Sequence, residues 1–488
     1  MKKIFVFLLF FYISRLYSAY SQTNGFNSVY VDFKKQTKAI YEDFRTKSNI
    51  EYSEFVKKIW KEYKSLPAIP CPINEPNPPV IKFNKDKENA IKDKAITIKD
   101  IVSPIKQAPQ PKPVSPIYEK EQKAEYKYQF TYCGTQCNIR FPSTLYINTD
   151  IIDNQHIADV WKQLSTEKLN NTIRDFLEIR IKMNLCDWAY LNLIDTFTKT
   201  RYGKGYMATL TAAYIYSQSG YQMRLGRNGN KLYLLYGSKH NIYDKKYFRI
   251  NDINYYSLYD APEKMEICDF AFPKEQTLSL YIPHRQLFSY QPTIMRKLAS
   301  ARYKDMVLNI NVNKNLIDFY NTYPASEINN NFMTKWAMYA NTPIEQEVQK
   351  KMYPVIKEKI AGLDEYDAVN KLLNWVQTAF IYEYDNKVWG HDRTFFAEET
   401  LFYPYCDCED RAILFTRLVR DLLDLKCILM YYPNHLASAV CFNQQVKGDY
   451  VLLNGYKYIV CDPTYIGAPV GLTMPNMDNN SANVILLE

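Results

Sequence analysis

Between Asp407 and Pro463 the chain changes from one hydrophobic period to another, and this change restricts the fold more than any other feature of the sequence. Cys408-Glu409-Asp410-Arg411 opens a stretch in which Ala412, Phe415, Val419 and Leu422 recur three and four positions apart, the spacing of one helix face. Short apolar runs follow at 427–432, 437–442, 450–453 and 456–461, broken by turn residues such as Asn434, Gly448 and Asp449. Runs of that length between turns read as antiparallel strands. The expected fold is therefore α+β, with a cysteine-bearing helix packed on an antiparallel sheet.

Within this pattern Cys408 falls at the helix N-terminus, His435 at the start of a strand and Asp462 at the end of another. Unpaired amides and the positive end of the helix dipole favour a thiolate at Cys408 and can hold an oxyanion. Neighbouring strands can then bring up His435 to take the proton and Asp462 to set its tautomer. Cys427, Cys441 and Cys461 lie inside strands and read as inert small apolar residues. Cys408 differs because it opens a helix inside an acidic motif.

The runs Asp407-Cys408-Glu409-Asp410-Arg411-Ala412, Asn434-His435 and Asp462-Pro463-Thr464 resemble the three signature blocks of the transglutaminase-like superfamily, in that family's order. Trp389 and Ala397-Glu398-Glu399-Thr400-Leu401 resemble the approach to the nucleophile in its bacterial members, so the likeness covers residues 341–470. It implies a papain-like core with Cys408, His435 and Asp462 as catalytic triad. The implied reaction is acyl transfer from a peptide or carboxamide through a cysteine thioester, hydrolysis being preferred over cross-linking, with a protein or peptide as substrate. No cofactor and no metal are expected. One departure stands out: Cys406 occupies the place usually held by glycine two residues before the nucleophile, which alters the approach to the thiolate and introduces a redox-capable neighbour.

Two rival readings use the same residues. Cys406, Cys408, Cys441, Cys461 and His435 could ligate zinc, but structural zinc motifs space paired cysteines more widely and no second pair follows. Alternatively, the chain is a catalytically silent scaffold or binding protein that uses this fold.

Around that block, 488 residues with 47% hydrophobic content support several domains. Lys2 and Lys3, an apolar run from Ile4 to Ile13 and the small residues Ser18, Ala19 and Ser21 read as a cleaved signal peptide over 1–21. A secreted or periplasmic location follows; an uncleaved anchor is the rival, but the run is too short to cross a bilayer and Arg15 interrupts it. The net charge of +9 is spread among acids, without an aromatic-basic module, and gives no support for nucleic acid. Ten cysteines are too dispersed for a stapled fold. Cys133 and Cys137 either pair across a turn or remain two thiols.

Residues 22–66 carry apolar positions at helical spacing and form an amphipathic segment that either docks on the body or tethers a cell-envelope partner. Eleven of the 24 prolines fall between Pro67 and Pro116, so 67–117 reads as an extended linker. Residues 118–263 and 341–488 share a spacing of helix, strand and strand at an offset of 204, suggesting an internal duplication. In that register Lys204 and Lys231 replace Cys408 and His435, making the first copy a degenerate, catalytically silent module. Residues 264–340 read as a β-rich bridge, and no transmembrane segment is expected.

Overall fold

The computed structural model of the chain describes residues 45–72, 91–103, 127–142, 145, 152–166 and 169–488. Residues 1–21, expected to be a signal peptide, residues 22–44 and much of the proline-rich stretch lie outside them. The described chain is mixed α+β, with two large sheets and helices packed on one face of each.

The second sheet has seven strands. Across it run Lys94–Ala95, Asp449–Leu453, Tyr456–Cys461, His435–Cys441, Lys426–Tyr432, Ala482–Leu486 and Ile98–Val102. Turn chemistry sets its registers. Tyr432 pairs with His435, leaving Pro433 and Asn434 as the turn, with Asn434 at φ 60, a left-handed conformation that asparagine tolerates. Asn454 and Gly455 connect the next hairpin at φ 51 and 81, as a type I′ turn requires.

Alternation along Lys426–Tyr432 divides its side chains between two apolar layers. Cys427 and Leu429 join the main core, whereas Ile428, Met430 and Tyr432 join a cluster on the opposite face. Each fully buried aliphatic side chain contributes roughly 1.5–3 kcal/mol. On the core side lies the helix Cys408–Leu423, touched by helices Thr334–Asn341, Glu365–Ala379 and Ala397–Phe402. Because it is surrounded, Ile413, Leu414 and Leu418 are buried along with Ala412, Phe415 and Val419.

The first sheet has six strands in the order Lys61–Lys64, Lys264–Cys268, Met223–Asn228, Lys231–Ser238, Ile253–Ser257 and Phe248–Ile250. Read from its other edge, this order places the helix-following hairpin, the next hairpin and the late-returning strand where the second sheet places them. Only the outer strand differs in direction: Lys61–Lys64 is antiparallel to its neighbour, Ile98–Val102 parallel. Helices Asp187–Tyr202 and Tyr206–Gln218 cover this sheet, and one continuous apolar core extends from Trp161 and Tyr214 to Trp375 and Leu429.

Part of the segment expected to be a linker forms sheet edges instead. Residues 91–103 contain no proline, and Lys94–Ala95 and Ile98–Val102 pair at opposite edges of the second sheet. Sheet edges expose unpaired amides and carbonyls that such a run can satisfy. Upstream, residues 45–58 are helical and dock on the body, with Tyr52 4.1 Å from the Trp161 ring and 5.2 Å from Phe272. The helix ends before Trp60, because Lys61–Lys64 pairs with Lys264–Cys268. Residues 264–340 are less β-rich than expected: a two-stranded pair, Arg296–Ala299 with Val307–Ile310, precedes helices Lys314–Tyr320 and Thr334–Asn341.

All ten cysteines are free thiols. Cys133 occupies a hairpin turn with Gly134, at φ 43 and 68, while Cys137 lies on the following strand. Among the described residues no helix is long and apolar enough to cross a membrane.

Candidate active site

Cys408 is the first residue of its helix, and two acids hold it there. Asp407 caps the helix by accepting from the Asp410 amide at 3.4 Å, and Asp410 accepts back from the Asp407 amide at 3.3 Å, a reciprocal capping box. Asp410 also accepts from the Phe395 amide at 2.7 Å, tying the preceding loop to the helix start. The acidic character of the motif is thus largely architectural. Burial, with the neighbouring Glu409 charge, pushes both Asp407 and Asp410 above the usual carboxylate range.

His435 and Asp462 meet as their strands predict. His435 opens its strand, and its Nε2 lies 2.9 Å from Asp462 Oδ2. Asp462 Oδ1 accepts from the amides of Thr464 and Tyr465 at 2.8 and 3.2 Å. With a carboxylate facing Nε2, the neutral imidazole carries its proton there and leaves Nδ1 as the basic nitrogen. Nδ1 is buried and has no hydrogen-bond partner among the described residues.

Cys408 stands beside this pair without bonding to it. The amide of Leu436, the residue after His435, faces the sulfur and favours its thiolate. The thiol itself donates toward Glu409 Oε2 at 3.5 Å. Cys408, His435 and Asp462 are 1, 1 and 2% exposed. Burial, followed by the Glu409 charge, pushes the Cys408 thiol well above its ordinary value. The helix terminus was expected to favour the thiolate; in this arrangement desolvation and the adjacent carboxylate outweigh it.

Two residues to which the sequence reading assigned no role brace the constellation. Gln377, on helix Glu365–Ala379, donates through Nε2 to the carbonyls of Asp462, Tyr465 and Ala468 at 3.0, 2.8 and 3.0 Å, and accepts from the Gly467 amide at 3.1 Å. One buried amide therefore fixes the loop that carries Asp462. Arg411, 1% exposed, donates to the carbonyls of Gln377 and Phe380 at 3.1 and 3.0 Å. Its cation sits where the neighbouring helix ends, which compensates its burial. A glutamine interrupting the buried run Leu372-Leu373-Asn374-Trp375-Val376 was the signal available for Gln377.

Cys406 is engaged by Arg411, whose Nε donates to its sulfur at 3.4 Å, and burial pushes its thiol up to about 11. Trp389 is half-buried and packs edge-on against Tyr403 at 4.9 Å, with Arg393 4.3 Å over its ring. It belongs to the wall of the loop before Cys408. The zinc reading finds no cluster of its residues: among the described residues, the groups with ligand atoms within 4.8 Å of one another are Asp407–Cys408–Glu409 and Asp385–Asp392–Glu409. In the second, Lys335 Nζ already lies 2.6 Å from Asp392 and supplies the positive charge.

The Glu398-Glu399 pair of the approach segment is structural. Glu398 accepts from the Glu345 amide at 2.6 Å, and Glu399 pairs with Arg393 at 2.7 Å. Burial pushes Glu398 up to about 8, and pushes Glu399 up to about 7 against the pull of Arg393. Folding therefore takes up protons at these carboxyls above their ordinary value of 4.5. Their stabilising contribution is complete below that value and is lost as the pH rises through about 7 to 8. Replacing Glu398 by glutamine is expected to flatten the fall in Tm between about pH 5 and pH 8, measured by thermal unfolding across that range.

No family model, curated protein or solved structure matches the chain. Its chemistry has to be argued from the site.

Proposed function

We propose that the chain is a transglutaminase-like cysteine enzyme with a papain-like core, acting on peptide or carboxamide bonds with water as the preferred acceptor. The observation that carries this reading is the buried, hydrogen-bonded His435–Asp462 pair next to a helix-terminal cysteine whose sulfur faces the Leu436 amide. The matching strand orders of the two sheets support an internal duplication in which the second copy retains the triad. The leader-like segment 1–21, outside the described residues, is what supports an exported location.

In the proposed reaction Cys408 leaves Glu409 and gives its proton to His435 Nδ1. The sulfur attacks the substrate carbonyl carbon, the C–N bond breaks, and His435 returns the proton to the departing amine. Water then gives a proton to His435 and attacks the thioester; the C–S bond breaks, releasing a carboxylic acid and restoring the thiol. Amides at the helix start are placed to receive the developing oxyanion. Asp462 keeps the imidazole in the tautomer that makes Nδ1 the base.

One observation favours a second reading, a silent binding protein. The thiol is buried and held protonated by its surroundings. A peptide library incubated with the protein, with and without a primary amine, and analysed by mass spectrometry separates the two. Cleavage or deamidation that depends on Cys408 supports the enzyme, and amine incorporation shifts the acceptor. An unchanged library in both arms favours the binding protein.

A further inference from the structure

The six-stranded sheet carries a concave site in the place where the seven-stranded sheet carries its triad. Element by element, Tyr206 begins the helix as Cys408 does, Lys231 begins the strand as His435 does, and Leu258 follows Ile253–Ser257 as Asp462 follows its strand. The helix start thus shifts the sequence register by two, putting Tyr206 rather than Lys204 opposite Cys408. All three counterparts line one cavity of about 740 Å³, within the roughly 300–1,000 Å³ range of ligand sites. The triad of the second sheet is closed to solvent; this position is open.

The lining divides by character. Leu191, Ala208, Ala212, Leu232 and Leu234 give an apolar floor, and Lys199, Lys204 and Lys231 stand around it with Asp195 and Asp260. Asp195 is already engaged: Lys199 lies 3.0 Å away and the Tyr259 hydroxyl donates to it. Lys199 Nζ also sits 3.7 Å over the Tyr259 ring. Asp260 interacts with Lys245. Lys204 and Lys231 are exposed and make no ion pair with a carboxylate among the described residues, Lys231 Nζ lying 4.9 Å over the Tyr233 ring. The helix beginning at Tyr206 has neither a side-chain cap nor an acid in its first turn, unlike the helix of Cys408.

We propose that this cavity is a non-catalytic recognition site for a carboxylate-terminated apolar segment, a peptide C-terminus. Its last side chain enters the apolar floor and its carboxylate lies between Lys204 and Lys231, where a charge-assisted bond discriminates an acid from an amide. Tyr233, Asn230 and Ser257 offer polar groups along the wall for peptide units, which a fatty acid would leave unused. The site is independent of acyl transfer at Cys408.

The test uses the full chain carrying Cys408→Ala, so that turnover cannot remove the probe. A fluorescein-labelled alanine pentapeptide ending in leucine is titrated by fluorescence anisotropy, as the free acid and as the C-terminal amide, with octanoate as competitor. The acid is expected to bind about tenfold more tightly than the amide. Lys204→Met with Lys231→Met, both exposed and remote from the core, should remove that preference while leaving Tm unchanged. Thr209→Trp, which narrows the cavity, should weaken both forms. Equal binding of acid and amide, or a preference that survives the double lysine variant, overturns the proposal. Displacement by octanoate at concentrations that match the peptide overturns the assignment to a peptide end. Loss of catalysis with this binding intact would instead strike only the reading of the second sheet.

Discussion

Replacing Cys408 by alanine is expected to lower turnover of a cleavable peptide by at least about a thousandfold and to remove the iodoacetamide label mapped to position 408 near neutral pH. Cys406→Ala is expected to keep both, because the Cys406 sulfur is held by Arg411 and its thiol is pushed up to about 11. The expected labelling is slow at first. Burial and Glu409 hold the Cys408 thiol protonated, so the rate should rise with pH, and Glu409→Gln should raise it at a given neutral pH by removing the adjacent negative charge. Intact-mass measurement over time checks all three variants. Equal labelling of the Cys406 and Cys408 variants would sink the nucleophile assignment.

Arg411→Met is expected to destabilise the protein by roughly 3–5 kcal/mol, read as a shift of the urea midpoint at unchanged slope. The substitution strips the buried carbonyls of Gln377 and Phe380 of their charged donor and leaves the Cys406 sulfur without its partner. Its effect should extend beyond stability. Arg411 holds the Gln377 backbone, and the Gln377 side chain holds the loop of Asp462. Loosening the first contact frees the second, so kcat should fall more than KM rises when measured under conditions where the variant is still folded. A variant with wild-type stability would show that the carbonyls find another donor.

This brace also explains why a cysteine stands at position 406. The sulfur is a weak acceptor beside a guanidinium whose Nη1 and Nη2 each donate to a carbonyl. A glycine there would leave Arg411 Nε with no such neighbour. The cysteine at position 406 therefore has a structural role.

Local features were legible in the sequence because their causes are local. The helix start at Cys408 follows from the Asp407/Asp410 capping box, and the strand starts at His435 and Tyr456 follow from turns at Asn434 and Asn454-Gly455. Given these elements, the order of Cys408, His435 and Asp462 and the likeness between the two halves could be read from spacing alone. What joined them across the chain could not. Gln377 lies 85 residues from Asp462, and Arg411 lies 34 from Gln377 and 31 from Phe380; nothing in local periodicity records such partners. Residues 91–103 look like linker until a sheet edge offers them unpaired backbone.

Electrostatic balance at Cys408 was likewise a tertiary outcome. A helix terminus lowers a thiol only while solvent and neighbours permit it, and here full burial and Glu409 act in the opposite direction. The same holds for Lys231: in sequence it marks an absent histidine, whereas in the fold it stands with Tyr206 and Leu258 around an open cavity. Sequence by itself determined which residues begin and end the elements and in what order the chemical groups appear. Only the tertiary structure decided which groups lose water, which charges face one another and which of two similar sites is open, because desolvation and charge act through space between segments far apart in the chain.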